Sequence, residues 1–402
     1  MRSIVLTRSL ALLALSIGAC GGRAAQPTLP SPPTGAPARD LADAKHAATP
    51  TNPKDAHLAA KDPRVVDLDI IRITANMHGV GGDPEMEHVA TSDLFKQANA
   101  AAKEGQTERA LALYRQIVAE FPESQFAPVS LFNIAAIYDG RGDLDATISA
   151  LRDLVKAYPH SRESIDGHLY IAALQADHSR FDEANKTLDE LLVRPDLTYA
   201  DRIEGFSRKG YSLIELRLYS EADAALAGAV AEWRKAPHIE DPYYIAMAQY
   251  YRGELAHRRF TEAPVGPRSP ASAGSLQPGL SDAQLIADLE AKRVLAVSAY
   301  DRWKESLGFK QAYWATASGY QMSQIFVELW QATVTAPYPR DMGTKTRPQY
   351  VVEVHDRVRE HLDKALEGHR MNVELAKAYG VETQWSKGSE QQAVRIMETL
   401  AT

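Results

Sequence analysis

Beyond residue 92 the apolar positions fall three and four residues apart, the spacing that gives a helix one buried stripe. The striped segments come in pairs, and the pairs repeat. Ala98, Ala135, Ala172 and Gly210 open four copies at intervals of 37, 37 and 38 residues. Twelve residues after each stand Ala110, Thr147, Ala184 and Ala222. Four further on stand Tyr114, Leu151, Leu188 and Leu226, and three further again Ile117, Leu154, Leu191 and Ala229. Seven residues after each opening position lie Gly105, Gly142, Ser179 and Arg217, where one helix turns into the next. So many matched columns mark an internal repeat. A small residue on each of two antiparallel helices lets their backbones approach where they cross. The larger residues at plus four and plus seven fill the space toward the next pair. Glycine at the turn accepts left-handed backbone, and Pro122 and Pro159, just past the second helices, stop them.

This pattern resembles the tetratricopeptide repeat, and the copies "GQTERALALYRQIVAEFPES" (105–124) and "GRGDLDATISALRDLVKAYPHS" (140–161) carry it best. The endings "EFPES" and "AYPHS" are similar to those of outer-membrane assembly lipoproteins and cell-envelope coordinators. Thr147 stands where that repeat has alanine, and the third and fourth copies lack the terminal proline in register. The resemblance spans residues 92–236 and implies an all-α fold, a right-handed superhelical solenoid of antiparallel helix pairs. It also implies a groove, lined by the first helix of each pair, in which peptide ligands lie. Carried over copy by copy, the groove positions are Phe95 and Asn99, then Phe132, Asn133 and Asp139, then Asp166 and Tyr170, then Arg208 and Tyr211. The tyrosines Tyr243, Tyr244, Tyr250 and Tyr251 continue that row, with Tyr244 as its partner-binding member. The bland alternative is that the aromatics are inter-helix core and the polar groups are solvated.

After the fourth copy the helical segments lengthen. Residues 242–260 read as a first helix, whose mate at 282–306 is displaced by a Pro/Gly/Ser-rich loop at 261–281. Ser281 is the expected N-cap of that mate. Another pair follows at 311–335 and 349–379, and a last helix at about 386–400 covers the apolar edge that a solenoid leaves at its end. Trp303, Trp314, Trp330 and Trp385 fall at helical spacing and read as core.

The N-terminal end is of another kind. Arg2 and Arg8 precede a short apolar run, Leu10 to Ile17, too short for a permanent membrane helix. The run Ile17, Gly18, Ala19, Cys20 resembles the lipobox of bacterial lipoproteins, and Cys20 is the one cysteine of the chain. The resemblance implies that residues 1–19 are a signal peptide and that Cys20 becomes the lipidated N-terminus. Gly21 and Gly22, in place of the aspartate that retains such proteins at the inner membrane, imply sorting to the outer membrane on its periplasmic side. Residues 20–63 are rich in Pro and Ala and nearly free of core-forming side chains, so they read as a disordered tether. Residues 64–90 read as an extended segment or short strand followed by a loop, "MHGVGGDPEMEH". The repeats occupy 91–260, the insertion 261–281 and the long C-terminal hairpins with their cap 282–402.

Composition narrows the function. The formal charge is −7, and no basic block stands out, so nucleic acid is not an expected partner. No metalloprotease, hydrolase-elbow, phosphate-loop or dinucleotide motif occurs, so neither an enzyme activity nor a cofactor is expected. His355, His361 and His369 share one long helix and read as solvated, and Asp67 and Asp69 as exposed acids. The expectation is a protein–protein interaction scaffold bound to other cell-envelope proteins or their peptide segments. Its high Ala and Arg usage is similar to that of myxobacterial repeat lipoproteins, some of which serve gliding motility and others pilus or barrel assembly. A peptidoglycan-binding lipoprotein, or one that activates a wall enzyme, is the alternative.

Overall fold

The computed structural model describes residues 70–76, 85–265, 281–339 and 342–401. Cys20, Asp67, Asp69, the tether and most of the 261–281 insertion lie outside these residues. Among the described residues there are two strands, β1 (Ile71–Asn76) and β2 (Glu85–Ala90), and thirteen helices. The strands pair antiparallel, with Ile71 opposite Ala90 and Asn76 opposite Glu85. Part of the stretch expected to be a loop, residues 85–88, is therefore strand. The ladder with β1 supplies the backbone hydrogen bonds that a glycine-rich sequence does not advertise. Arg72 anchors this hairpin to the first repeat, 2.8 Å from Glu120 and 5.2 Å over the Phe121 ring.

Eight helices form the four copies: α1 (Thr91–Lys103), α2 (Thr107–Glu120), α3 (Phe126–Gly140), α4 (Leu144–Ala157), α5 (Arg162–Asp177), α6 (Phe181–Leu192), α7 (Tyr199–Glu215) and α8 (Tyr219–Lys235). Every residue of the two larger columns and of the second-helix small column is fully buried, from Tyr114 to Leu226 and from Ala110 to Ala222. Thr147 fits the small column because its hydroxyl donates back to the Asp143 carbonyl at 2.7 Å and leaves no polar group unpaired. Turn residues Gly105, Gly142, Ser179 and Arg217 all adopt left-handed backbone, at φ 72°, 72°, 59° and 62°. The turn geometry is thus a property of the column, held even where the residue is not glycine. Several helix starts are capped: Asp143 accepts from Ala146 N at 3.0 Å, and Ser161 from Ser164 N at 3.1 Å.

Five longer helices continue the stack: α9 (Tyr243–Glu262), α10 (Asp282–Gly308), α11 (Ala312–Val334), α12 (Arg347–Tyr379) and α13 (Gln384–Ala401). Ser281 caps α10 by accepting from Gln284 N at 3.3 Å. Trp303 and Trp314 are fully buried and Trp385 nearly so, while Trp330 is half-buried against His355. Each helix packs on its neighbour in sequence, and the first helices of successive pairs (α1, α3, α5, α7, α9, α11) also touch one another. Successive second helices make no comparable contact. The first helices therefore line the inner side of the curve and the second helices its outer side. No helix among the described residues is long and apolar enough to cross a membrane.

Candidate functional site

Inner helices α3, α5, α7 and α9 are buried on most sides, so their polar side chains meet each other across the seams between repeats. Phe95 is core, its ring 5.0 Å from Phe126 and 6.0 Å from Tyr114. Asn99 accepts a 2.6 Å hydrogen bond from the Tyr114 hydroxyl. These two stay with their own pair and the following helix. Phe132 reaches forward to Tyr170 at 5.9 Å, and Asn133 is buried beside it in sequence. Tyr170 lies near Asp139, and burial first, then that carboxylate, push the Tyr170 hydroxyl well above its ordinary pKa.

Further along, the seams become charged. Arg162 at the start of α5 bridges Asp166 at 2.8 Å and Asp201 of α7 at 2.7 Å. Burial works against its charge, but the two aspartates outweigh that and hold the guanidinium ionised. Asp201 also closes a capping box at the start of α7, accepting from Thr198 N at 2.9 Å while Thr198 accepts from Asp201 N at 3.2 Å. One carboxylate therefore fixes the entry of α7 and its docking on α5. Arg208, 4% exposed, donates to Glu204 at 2.8 Å and to the Tyr244 hydroxyl of α9 at 2.8 Å, with its guanidinium 5.1 Å over the Tyr244 ring. Burial opposes this charge too, and Tyr244 and Glu204 together overcome it. Tyr211 packs on Tyr251 at 5.0 Å, and Tyr243 and Tyr250 both reach Trp314 at 5.6 and 5.2 Å.

The positions expected to line a groove are thus placed on the inner helices. The structure joins Phe132, Asp139 and Tyr170 into one group, Asp166 to Asp201 through Arg162, and Arg208 to Tyr244. Of these, Asp139, Asp166 and Tyr244 are half-buried edges, and Glu204, which the sequence did not single out, joins them beside Arg208. The aromatic rings are mainly seam packing. What the row offers a partner is a polar strip in which Asp166, Glu204 and Tyr244 are already held by hydrogen bonds to Arg162 and Arg208, so ordering them on binding costs little entropy.

Sequence patterning did not distinguish the histidines of α12. His369 is fully buried, 5.3 Å from the Tyr320 ring, and its Nδ1 stands 3.2 Å from Ser389 Oγ. Burial lowers its pKa to about 4. The expectation of a solvated histidine fails there because α13 folds back over that face of α12. Ser389 is equally buried and also accepts from Asn372 at 2.9 Å. A serine and histidine in contact with no route to solvent make a structural hydrogen-bond cluster rather than a nucleophile and base. His361 is half-buried and His355 exposed. Among the described residues no group of three His, Cys, Asp or Glu side chains gathers into a metal site. A second charged seam, Glu254 and His257 of α9 against Glu328 of α11, also escaped sequence reading. Its signal was the i, i+4, i+7 spacing of Tyr250, Glu254 and His257 on one helix face.

Residues 84–236 match the tetratricopeptide repeat-like domain. That stretch takes in α1 to α8 and stops before α9. Among solved structures the chain is similar to the apo form of RapI, with TM-score 0.35 and 9% identity over 77% of this chain and 98% of that one. It is also similar to a tetratricopeptide repeat protein from Parabacteroides merdae ATCC 43184, with TM-score 0.33 and 11% identity over 76% and 98%. No curated protein matches.

Proposed function

We propose that this repeat solenoid is a non-catalytic scaffold that holds another cell-envelope protein, or a peptide segment of one, against its inner helices. In this reading Cys20 is lipidated after removal of residues 1–19 and ties the body to the outer membrane on the periplasmic side. The setting is a multiprotein envelope complex of the gliding-motility or assembly type. The observation that carries the binding reading is the row from Asp139 through Asp166 and Glu204 to Tyr244. Its members stand on consecutive inner helices, and Arg162 and Arg208 brace Asp166, Glu204 and Tyr244. A rigid polar strip of this kind recognises hydrogen-bonding and charged groups of a partner chain with little induced fit. The repeat-like domain match supports an interaction role for the same stretch.

Two experiments test the reading. Cys20→Ser in the full-length chain should move the protein from the membrane to the soluble fraction with an unchanged circular dichroism spectrum. Retention at the membrane removes the anchor. Asp166→Arg, which reverses charge at a half-buried edge, should weaken recovery of crosslinked envelope proteins while the fold persists. Equal recovery removes the inner strip as the docking face. Co-sedimentation of the full-length chain with isolated sacculi, independent of any protein partner, would favour the peptidoglycan alternative.

A further inference from the structure

Where α9 meets α11, the solenoid crosses from its four-repeat part to its C-terminal hairpins, and the crossing is charged. His257 of α9 bonds Glu328 of α11, Nε2 to Oε2, at 2.5 Å. One turn earlier Glu254 accepts from Gln321 of α11 at 2.9 Å, and Gln321 also donates to the Tyr250 hydroxyl at 3.2 Å. The imidazole stacks on Phe260 at 5.9 Å and lies tilted against Trp303 of α10 at 5.5 Å, so it has little water around it. The other charged groups around it are accounted for. Arg258, on α9 itself, is turned toward Glu215 of α7 at 3.9 Å and Tyr219 of α8 at 3.4 Å. Lys292 of α10 donates to the Phe260 carbonyl at 2.6 Å and also feels the charge of Glu328, which favours its ionised form against burial. His257 is thus the one cation bonded directly to a carboxylate across this seam among the described residues.

We propose that the α9–α11 seam is a proton-operated joint. While His257 holds its proton it clamps Glu328 and closes the crossing; loss of that proton to solvent leaves Glu254 and Glu328 near each other without the imidazolium, and the C-terminal hairpins loosen against the repeats. The direction follows from linkage. Burial opposes the charge on His257, but the hydrogen bond and charge of Glu328 prevail and set its pKa above the ordinary 6.5. A raised histidine contributes stability that is complete below 6.5 and is lost as pH rises through the folded value. Glu254, raised by burial, works in the same direction, since its charged form is the costly one.

The test is hydrogen exchange of the full-length chain at pH 6.5 and pH 8.5, corrected for the intrinsic rate. Over this range the separate titration of His369 is confined to the last of its unfolded-state proton and raises stability with pH, opposite in sign to the effect expected of His257. The joint requires amide protection in α11 and the adjoining part of α9 to be lower at pH 8.5 than at pH 6.5, while α3 to α6 stay constant. His257→Gln, which keeps an N–H donor for Glu328 but cannot titrate, should abolish the difference. Equal protection of α11 at the two pH values overturns the proposal, as does a drop of the same size in α3 to α6. A full pH response in His257→Gln overturns it too. The wild-type comparison stands alone if that variant does not fold.

Discussion

Gly210 tests the packing logic of the repeat most sharply. It occupies the column that holds alanine at Ala98, Ala135 and Ala172, each buried to within 1% exposure. A Cβ added at Gly210 overlaps Cγ and Cδ2 of Leu226 and stands 3.4 Å from its Cδ1. Leu226 is itself fully buried, so it has no open side into which to retreat. Overpacking of this kind costs about 1–3 kcal/mol, and alanine over glycine in a helix returns about 1 kcal/mol. Gly210→Ala should therefore destabilise the α7–α8 pair by up to about 2 kcal/mol. Leu226→Ala alone should cost about 2–5 kcal/mol through the cavity it opens. In that background the methyl at 210 has room, and Gly210→Ala becomes stabilising by about 1 kcal/mol. Because a solenoid unfolds in parts, the assay is hydrogen-exchange protection of α7 and α8 amides in the four proteins of the cycle, as urea is raised. The cycle should show a coupling of about 1–3 kcal/mol, the difference between those two effects of the same methyl. Additivity within about 0.5 kcal/mol would refute the claim that the small residue at this column exists to admit the leucine of the next helix.

Three further expectations follow from single sites. Arg217→Gly should raise the stability of the α7–α8 turn by about 0.5–1 kcal/mol, since a non-glycine residue there sits at φ 62°, and a loss in urea unfolding would count against it. Tyr114→Phe removes a 2.6 Å hydrogen bond to Asn99 inside the first pair and should cost about 1 kcal/mol, read as lower protection of α1 and α2. His369, whose pKa burial lowers to about 4 from 6.5, gives the opposite pH sign to His257. Its contribution is complete above 6.5 and is lost as pH falls toward about 4, on the order of 3 kcal/mol in all. Exchange in α12 and α13 should quicken in acid, and His369→Gln should blunt that response.

Much of the fold was legible because a repeat writes the same packing problem several times. The alignment of Ser179 and Arg217 with Gly105 and Gly142 marked a left-handed turn that neither residue type would have announced alone. The columns of Ala110 and Tyr114 named the core of each pair directly. What stayed hidden depends on how one pair sits on the next. Arg208 and Tyr170 look like groove residues from their place on the first helix, yet both are more than nine-tenths buried, because the inner helices close on each other. That spacing is set by the sum of many inter-helix contacts and leaves no local trace. His369 was illegible for a related reason: α12 alone shows it on a polar helix, and only the return of α13 covers it. The strand at residues 85–88 went unread because its partner lies across a glycine-rich connection, and pairing rather than side-chain alternation makes it a strand.

The scaffold reading itself meets its most direct test in site-specific photocrosslinking in living cells. A photoreactive phenylalanine analogue at position 166 or 244, on the inner helices, is compared with one at position 153, an exposed site on the outer helix α4. The account predicts that the inner positions capture a discrete envelope protein and that position 153 does not. Capture from position 153 alone, or no capture from either inner position, would contradict it.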